Sequence, residues 1–162
     1  MNKRAPTQRR GLVALVGAVA ATALLSFTPA FEGTELSTYR DMGGVLTYCT
    51  GATENAAWGK TYTPAQCRAQ LDRDLERHAA GIAMCIPLAR LTDGQKVAFV
   101  DVAYNIGVRG FCGSSMARLT NARDMAGACN ALLMWNKVGG KEVRGLTRRR
   151  QAERELCLKG LP

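Results

Sequence analysis

Glu32, Asp41 and Thr47 stand in the order acid, acid, hydroxyl, with eight residues between the first two and five between the last two. Gly43 and Gly44 fall between Asp41 and Thr47, where a chain reverses tightly at little cost. Two carboxyl groups and a hydroxyl gathered by one turn can protonate a leaving oxygen and hold an attacking water. Hydrolysis of a glycosidic bond needs both tasks done together. Each residue also has a plainer reading: a helix-capping or surface carboxylate for Glu32, an ordinary strand threonine for Thr47. Glu35 is a rival acid, but pairing it with Asp41 breaks the spacing.

The elements that must position these groups are legible in outline. Val45, Leu46, Thr47 and Tyr48 favour a strand after the Gly-Gly turn, so residues 31–62 read as a short helix or turn followed by a small hairpin. Thr63-Pro64-Ala65-Gln66 is a helix start, with a threonine cap, proline in the first turn and glutamine completing a capping box. That helix runs to about His78–Ala83 with Leu71 and Leu75 on one face, and His78, among charged neighbours, is expected to be exposed and inert. Thr92-Asp93-Gly94-Gln95 repeats the pattern and opens the most apolar helix, containing Val97, Ala98, Phe99, Val100, Val102, Ala103 and Tyr104. Apolar groups cover most of its circumference, so it is the expected buried centre. Gly107 and Gly110 end it. Ser114 or Ser115 caps a short helix through Leu119, Asn121 or Asp124 starts another through Leu133 and Trp135, and a loop follows at Gly139-Gly140. Residues 143–158 form a last amphipathic helix carrying Arg144, Arg148, Arg149, Arg150 and Arg154. The expected class is α+β, mostly α, in a lysozyme-like arrangement with one small hairpin.

Composition narrows the function. A chain of 162 residues with 47% hydrophobic content and five prolines is a folded domain with at most a short appendage. Its formal charge of +9 calls for an anionic partner, and Lys3, Arg4, Arg9 and Arg10 alone account for four of those charges. Nucleic acid is a poor choice, because no recognised binding motif appears and aromatic residues are sparse. Six cysteines at 49, 67, 85, 112, 129 and 157 form no CxxC pair and His78 is the only histidine, so no metal site and no cofactor is expected. An even cysteine count behind an export-like N-terminus reads as disulfides in an oxidising compartment. Fifteen pairings are open; the sequential set 49–67, 85–112 and 129–157 is favoured because each bridge would clip one helical or hairpin unit.

Residues 11–30, GLVALVGAVAATALLSFTPA, carry no charge. A helix of that length spans roughly 30 Å, the thickness of a bilayer's hydrocarbon core. The basic cluster before it would stay cytoplasmic and send the remainder outward. Cleavage after Thr28-Pro29-Ala30 is one reading, but it leaves Glu32 second in the mature chain, where frayed termini rarely hold a catalytic group still. The stretch has six alanines and two glycines, so its transfer into lipid is only weakly favourable. A reversible anchor is the preferred reading. Residues 1–30 are then the export and anchor segment and residues 31–162 the catalytic domain.

The spacing of Glu32, Asp41 and Thr47, with Phe31-Glu32-Gly33 and Tyr39-Arg40-Asp41, resembles the phage-type lysozymes of glycoside hydrolase family 24. Ala103-Tyr104-Asn105-Ile106-Gly107 with Phe111 and Ser114-Ser115 is similar to that family's central-helix motif. Trp135, Gly139-Gly140 and Gly145-Leu146-Thr147-Arg148-Arg149-Arg150 with Glu153 look like its C-terminal signature. These blocks follow one another in the expected order over residues 31–158. The N-terminal segment resembles the signal-arrest-release endolysins of phages infecting Gram-negative hosts, which are exported, held inactive on the inner membrane and freed when it depolarises. Two departures stand out: Tyr48-Cys49-Thr50-Gly51-Ala52 lacks the histidine often found after the threonine, and the anchor holds no cysteine, which excludes control by thiol exchange from that segment.

The resemblance implies a monomeric muramidase acting on peptidoglycan in the periplasm, tethered to the inner membrane through residues 11–30 before release. It implies Glu32 as the general acid and Asp41, helped by Thr47, as the holder of the water, with inversion at the sugar and carboxyl groups about 6.5–9.5 Å apart. Glu32 then needs a raised pKa from partial burial, to which Phe31 and the adjoining apolar segment could contribute. Among Arg148–Arg150, otherwise a solvated face, Arg149 is expected to reach Glu32 and orient it; Tyr104, Asn105 and Ser115 are core or capping residues or line the sugar cleft. Two other functions fit less well: a non-catalytic wall- or membrane-binding protein on the same scaffold, and a lytic transglycosylase, whose chemistry can work with a single acid.

Overall fold

The computed structural model describes residues 11–162, and the basic cluster Lys3, Arg4, Arg9 and Arg10 lies outside them. The middle of the molecule is the apolar helix that the Thr92 capping box starts. The Thr92 hydroxyl accepts from the Gln95 amide, and the Gln95 side chain accepts from the Thr92 amide. In chain order the helices are α1 (Leu12–Val16), α2 (Ala18–Glu32), α3 (Pro64–Ile82), α4 (Asp93–Ile106), α5 (Val108–Cys112), α6 (Ser115–Asn121), α7 (Met125–Ala131) and α8 (Arg144–Lys159). Strands β1 (Glu35–Arg40) and β2 (Leu46–Cys49) form one antiparallel hairpin, and β3 (Lys137–Val138) with β4 (Lys141–Glu142) a second, minute one. Val97, Ala98, Phe99, Val100, Val102 and Ala103 of α4 are fully buried, with α2, α3 and α8 packed around them. Each large apolar side chain removed from water contributes about 1.5–3 kcal/mol, which makes α4 the principal source of cohesion.

The uncharged N-terminal stretch is two helices rather than the single rod its length allows. Gly17 adopts φ 88° and ψ 160°, a region open only to glycine without strain, and it separates α1 from α2. Among the described residues no helix is long and apolar enough to cross a membrane. Leu12, Val16, Ala20, Ala21 and Leu24 belong instead to the main core, α1 against α3 and α2 against α4. Helix α2 crosses position 30 without a break.

The β1–β2 hairpin closes at Gly44, whose φ is 77°, with Asp41 and Val45 paired across the turn. Its register sets Tyr39 opposite Thr47 and Arg40 opposite Leu46, with a bulge between Glu35 and Tyr39. Tyr48 stacks on Tyr62 at 4.4 Å, and Cys49–Cys67 ties the hairpin to the first turn of α3. The other bridges are Cys85–Cys112 and Cys129–Cys157. The pairing is the sequential one, yet each bridge joins two elements instead of clipping one.

Three local expectations change. Val108–Cys112 forms a helical turn beyond Gly107, and the Gly139-Gly140 loop is the turn of the β3–β4 hairpin. Arg150 is buried rather than on a solvated face, while Arg149 is buried and reaches Glu32 as expected. At the two ambiguous starts, Ser114 caps α6 and Asp124 caps α7.

Candidate active site

Helix α2 delivers Glu32 to a groove because its residues recur on one face every four positions. Ala20, Leu24 and Thr28 on that face are fully buried, and Glu32 is the next along it, at the point where the helix emerges. Its side chain is 25% exposed and receives a hydrogen bond from Nη1 of Arg149. A cavity of about 410 Å³ opens on one side of it, walled by the 50–54 loop, by Asp74, Arg77 and His78 of α3, and by Tyr104 and Asn105 of α4. A second of about 310 Å³ opens on the other side, towards Val143, Arg148 and Arg149. Glu32 and Asn105 line both, so they form the waist of one groove.

Arg149 is held from behind. Its Nε donates to Asp101 Oδ2 at 2.8 Å and its Nη2 to Asp101 Oδ1 at 3.0 Å, while Thr28 Oγ1 donates to the same Oδ1 at 2.7 Å. Burial by itself would raise the Asp101 carboxyl, but hydrogen bonding to Arg149 and Glu153, the Arg149 charge and, least, the Thr28 hydroxyl hold it below the usual carboxylate range. Burial likewise disfavours the Arg149 cation, and Asp101 and Glu32 outweigh it, so the guanidinium stays charged. Arg149 also lies over the Phe31 ring at 5.8 Å, and Phe31 packs on Phe27. Behind this group Arg150 donates to Glu153 Oε1 at 2.6 Å, both side chains fully buried. Burial drives the Glu153 carboxyl well above its ordinary range.

Asp41 is exposed at the hairpin turn, where Oδ1 accepts from the Gly43 and Val45 amides at 2.9 and 2.8 Å. Thr47 is buried and its hydroxyl donates to the Val45 carbonyl at 3.0 Å. Neither lines the two cavities beside Glu32. The Tyr39 phenol is pushed up by burial and then by the charges of Glu35, Asp41 and Glu32. The hairpin acid and the helix acid thus act on one tyrosine.

Tyr104 sits in the groove wall with its hydroxyl donating to the Thr50 carbonyl, and burial, with the charges of Asp74 and Glu32, holds its phenol protonated. Ser115 lies outside both cavities, on the first turn of α6, with its hydroxyl 3.9 Å from Met134 Sδ. His78 is not the solvated residue its charged neighbours imply. It is half-buried in the groove wall, its Nδ1 2.6 Å from the Asp74 carbonyl and its ring 5.2 Å from that of Tyr104. Thr28 and Asp101 escaped the sequence reading altogether. A lone carboxylate inside the most apolar helix was the available signal, since such a group demands a buried cation.

A family model described as "Phage lysozyme" matches residues 29–153. The SAR-endolysin of Enterobacteria phage P21 is 36% identical over 162 aligned residues, covering 96% of this chain and 98% of that one. The SAR-endolysin of Bacteriophage PS34 is 38% identical over 164, covering 96% of each. Among solved structures, the endolysin from Escherichia coli O157:H7 phage FAHEc1 superposes with a TM-score of 0.76 at 28% identity, covering 90% of this chain and 94% of that one.

Proposed function

Because the chain belongs to the phage lysozyme family, as an endolysin that hydrolyses the β-1,4 bond between N-acetylmuramic acid and N-acetylglucosamine, we propose that Glu32 is its general acid. The observation that carries this is the Glu32 carboxylate at the waist of the groove, gripped by a buried Arg149. A sugar chain laid along both cavities would cross Glu32, and the carboxyl would give its proton to the bridging oxygen.

Asp41 would hold the water on the opposite face. Two amides already occupy its Oδ1, which fixes the carboxylate plane and leaves Oδ2 for the water. With its proton committed to the Val45 carbonyl, Thr47 would steer that water only by accepting from it. Attack from that side inverts the anomeric carbon. Tyr104 and Asn105 would bind or orient the sugars from the α4 wall.

Digestion of purified peptidoglycan tests the assignment. The wild type should release chains with reducing muramic acid ends in the inverted anomeric form, and Glu32→Gln should release none while folding normally. Anhydro ends would identify a transglycosylase instead, and cleavage by Glu32→Gln would remove Glu32 from the acid role.

The enzyme is read as a monomer exported to the periplasm, with residues 1–30 as its export and anchor segment and 31–162 as its catalytic domain. While residues 11–30 lie in the inner membrane, Glu32 would sit at the bilayer surface, away from Arg149; after release, α1 and α2 fold onto the core. The mixed composition of that stretch, apolar enough for lipid and small enough to leave it, supports this reading. Full activity in the membrane-bound fraction would defeat it.

A further inference from the structure

We propose that Thr28 and Asp101 are positioning residues for the acid, closing with Arg149 a buried ring that fixes the Glu32 carboxylate; this rests on the reading of Glu32 as the proton donor. The ring runs from the Thr28 hydroxyl to Asp101 Oδ1, through two bonds to the Arg149 guanidinium, out to Glu32, and back along one turn of α2 to Thr28. Thr28, Asp101 and Arg149 are almost wholly shielded from water.

Guanidinium geometry makes the ring directional. The group is planar, so committing Nε and Nη2 to the two oxygens of Asp101 fixes the plane and with it the directions of both Nη1 hydrogens. Glu32 accepts along one of them. Asp101 therefore sets the donor that meets the acid, although it does not touch the groove. Thr28 sets the other end. A buried helical threonine commonly returns its hydroxyl to the carbonyl one turn back, as Thr120 does to Met116 at 2.8 Å. Thr28 instead leaves its own helix and bonds a residue 73 positions away. Since Thr28 and Glu32 are four residues apart, a rotation of α2 that lost one contact would lose both. The hydroxyl thus indexes the helix that carries the acid.

The test compares Thr28→Val, Thr28→Ser, Arg149→Lys, Glu32→Gln and the Thr28→Val/Arg149→Lys double variant in the full chain, with kcat and KM on soluble peptidoglycan fragments. Thr28→Val preserves shape and removes the bond. It should lower kcat about tenfold, the weight of one hydrogen bond to a charged group, with KM within about twofold. Thr28→Ser restores the hydroxyl and should recover most of that loss. Combined with Arg149→Lys, Thr28→Val should add little, because the ring is already open. Circular dichroism at the assay temperature gives the folded fraction. A kcat loss equal to the unfolded fraction, equal losses in the serine and valine variants, or full additivity with Arg149→Lys each overturns the ring. Unchanged kcat in Thr28→Val beside an inactive Glu32→Gln sinks the positioning role alone, whereas an active Glu32→Gln sinks the acid assignment beneath it.

Discussion

Arg149 meets Glu32 across 117 residues of sequence, so the acid near one end of the chain is oriented by a helix near the other.

Replacing Arg149 separates orientation from stability. A lysine ammonium cannot grip both oxygens of Asp101 and still reach Glu32. Arg149→Lys should lower kcat by about 10–100-fold with KM little changed, the scale of a displaced catalytic group. Arg149→Ala strands Asp101 as a buried charge and should cost about 3–5 kcal/mol in urea denaturation. Equal effects of the two variants on stability would contradict this division.

Gly17 is held in a conformation that an L-residue adopts only with strain, and open space surrounds the position where a Cβ would go. Gly17→Ala should therefore destabilise the protein by about 1–3 kcal/mol through the backbone alone. Chemical denaturation with an unaltered m-value would read this directly, and an unmoved midpoint would show that the break between α1 and α2 costs nothing to remove.

Glu153 titrates abnormally because burial holds its proton on. The folded state binds that proton more tightly than the unfolded chain, so its stabilising effect is complete below the ordinary glutamate value of 4.5 and is lost as pH climbs towards the raised folded value. Glu153→Gln cannot ionise. The melting temperature of the variant relative to wild type should rise as pH climbs above 4.5 towards that raised value. A pH-independent difference would mean that Glu153 is ordinary.

Cys129–Cys157 pins α7 to the end of α8 across a separation of 28 residues. Replacing both with serine should cost about 3–4 kcal/mol by release of the unfolded chain. Because α8 also carries Arg149, the variant should lose activity at a lower temperature than wild type, in step with its melting curve. Inactivation well below melting would point to a local effect at Arg149 instead.

Local rules made the scaffold readable. The Thr63 and Thr92 capping boxes, the Gly43-Gly44 reversal and the apolar run of α4 are decided by neighbouring residues, and they stand where expected. What escaped depended on partners distant in sequence. Asp101 interrupts an apolar helix and is explained only by Arg149 and Thr28, which lie far away in sequence, and His78, flanked by charged residues, is enclosed by the 50–54 loop and Tyr104. The division of residues 11–30 into two helices was hidden for a related reason. Nothing in an unbroken run of small apolar residues says which glycine will turn, and the choice of Gly17 was made by the core that receives Leu12 and Val16.

Those two side chains, with Ala20, Leu24 and Thr28, plug the interior from the chain's own beginning. A peptidase cutting after Ala30 would pull the plug out whole, leaving a hollow beside α4 and an acid hanging from a loose end. Kept uncut, residues 12–32 would be a structural part of the folded enzyme, and a preparation trimmed after Ala30 should be unstable and inactive.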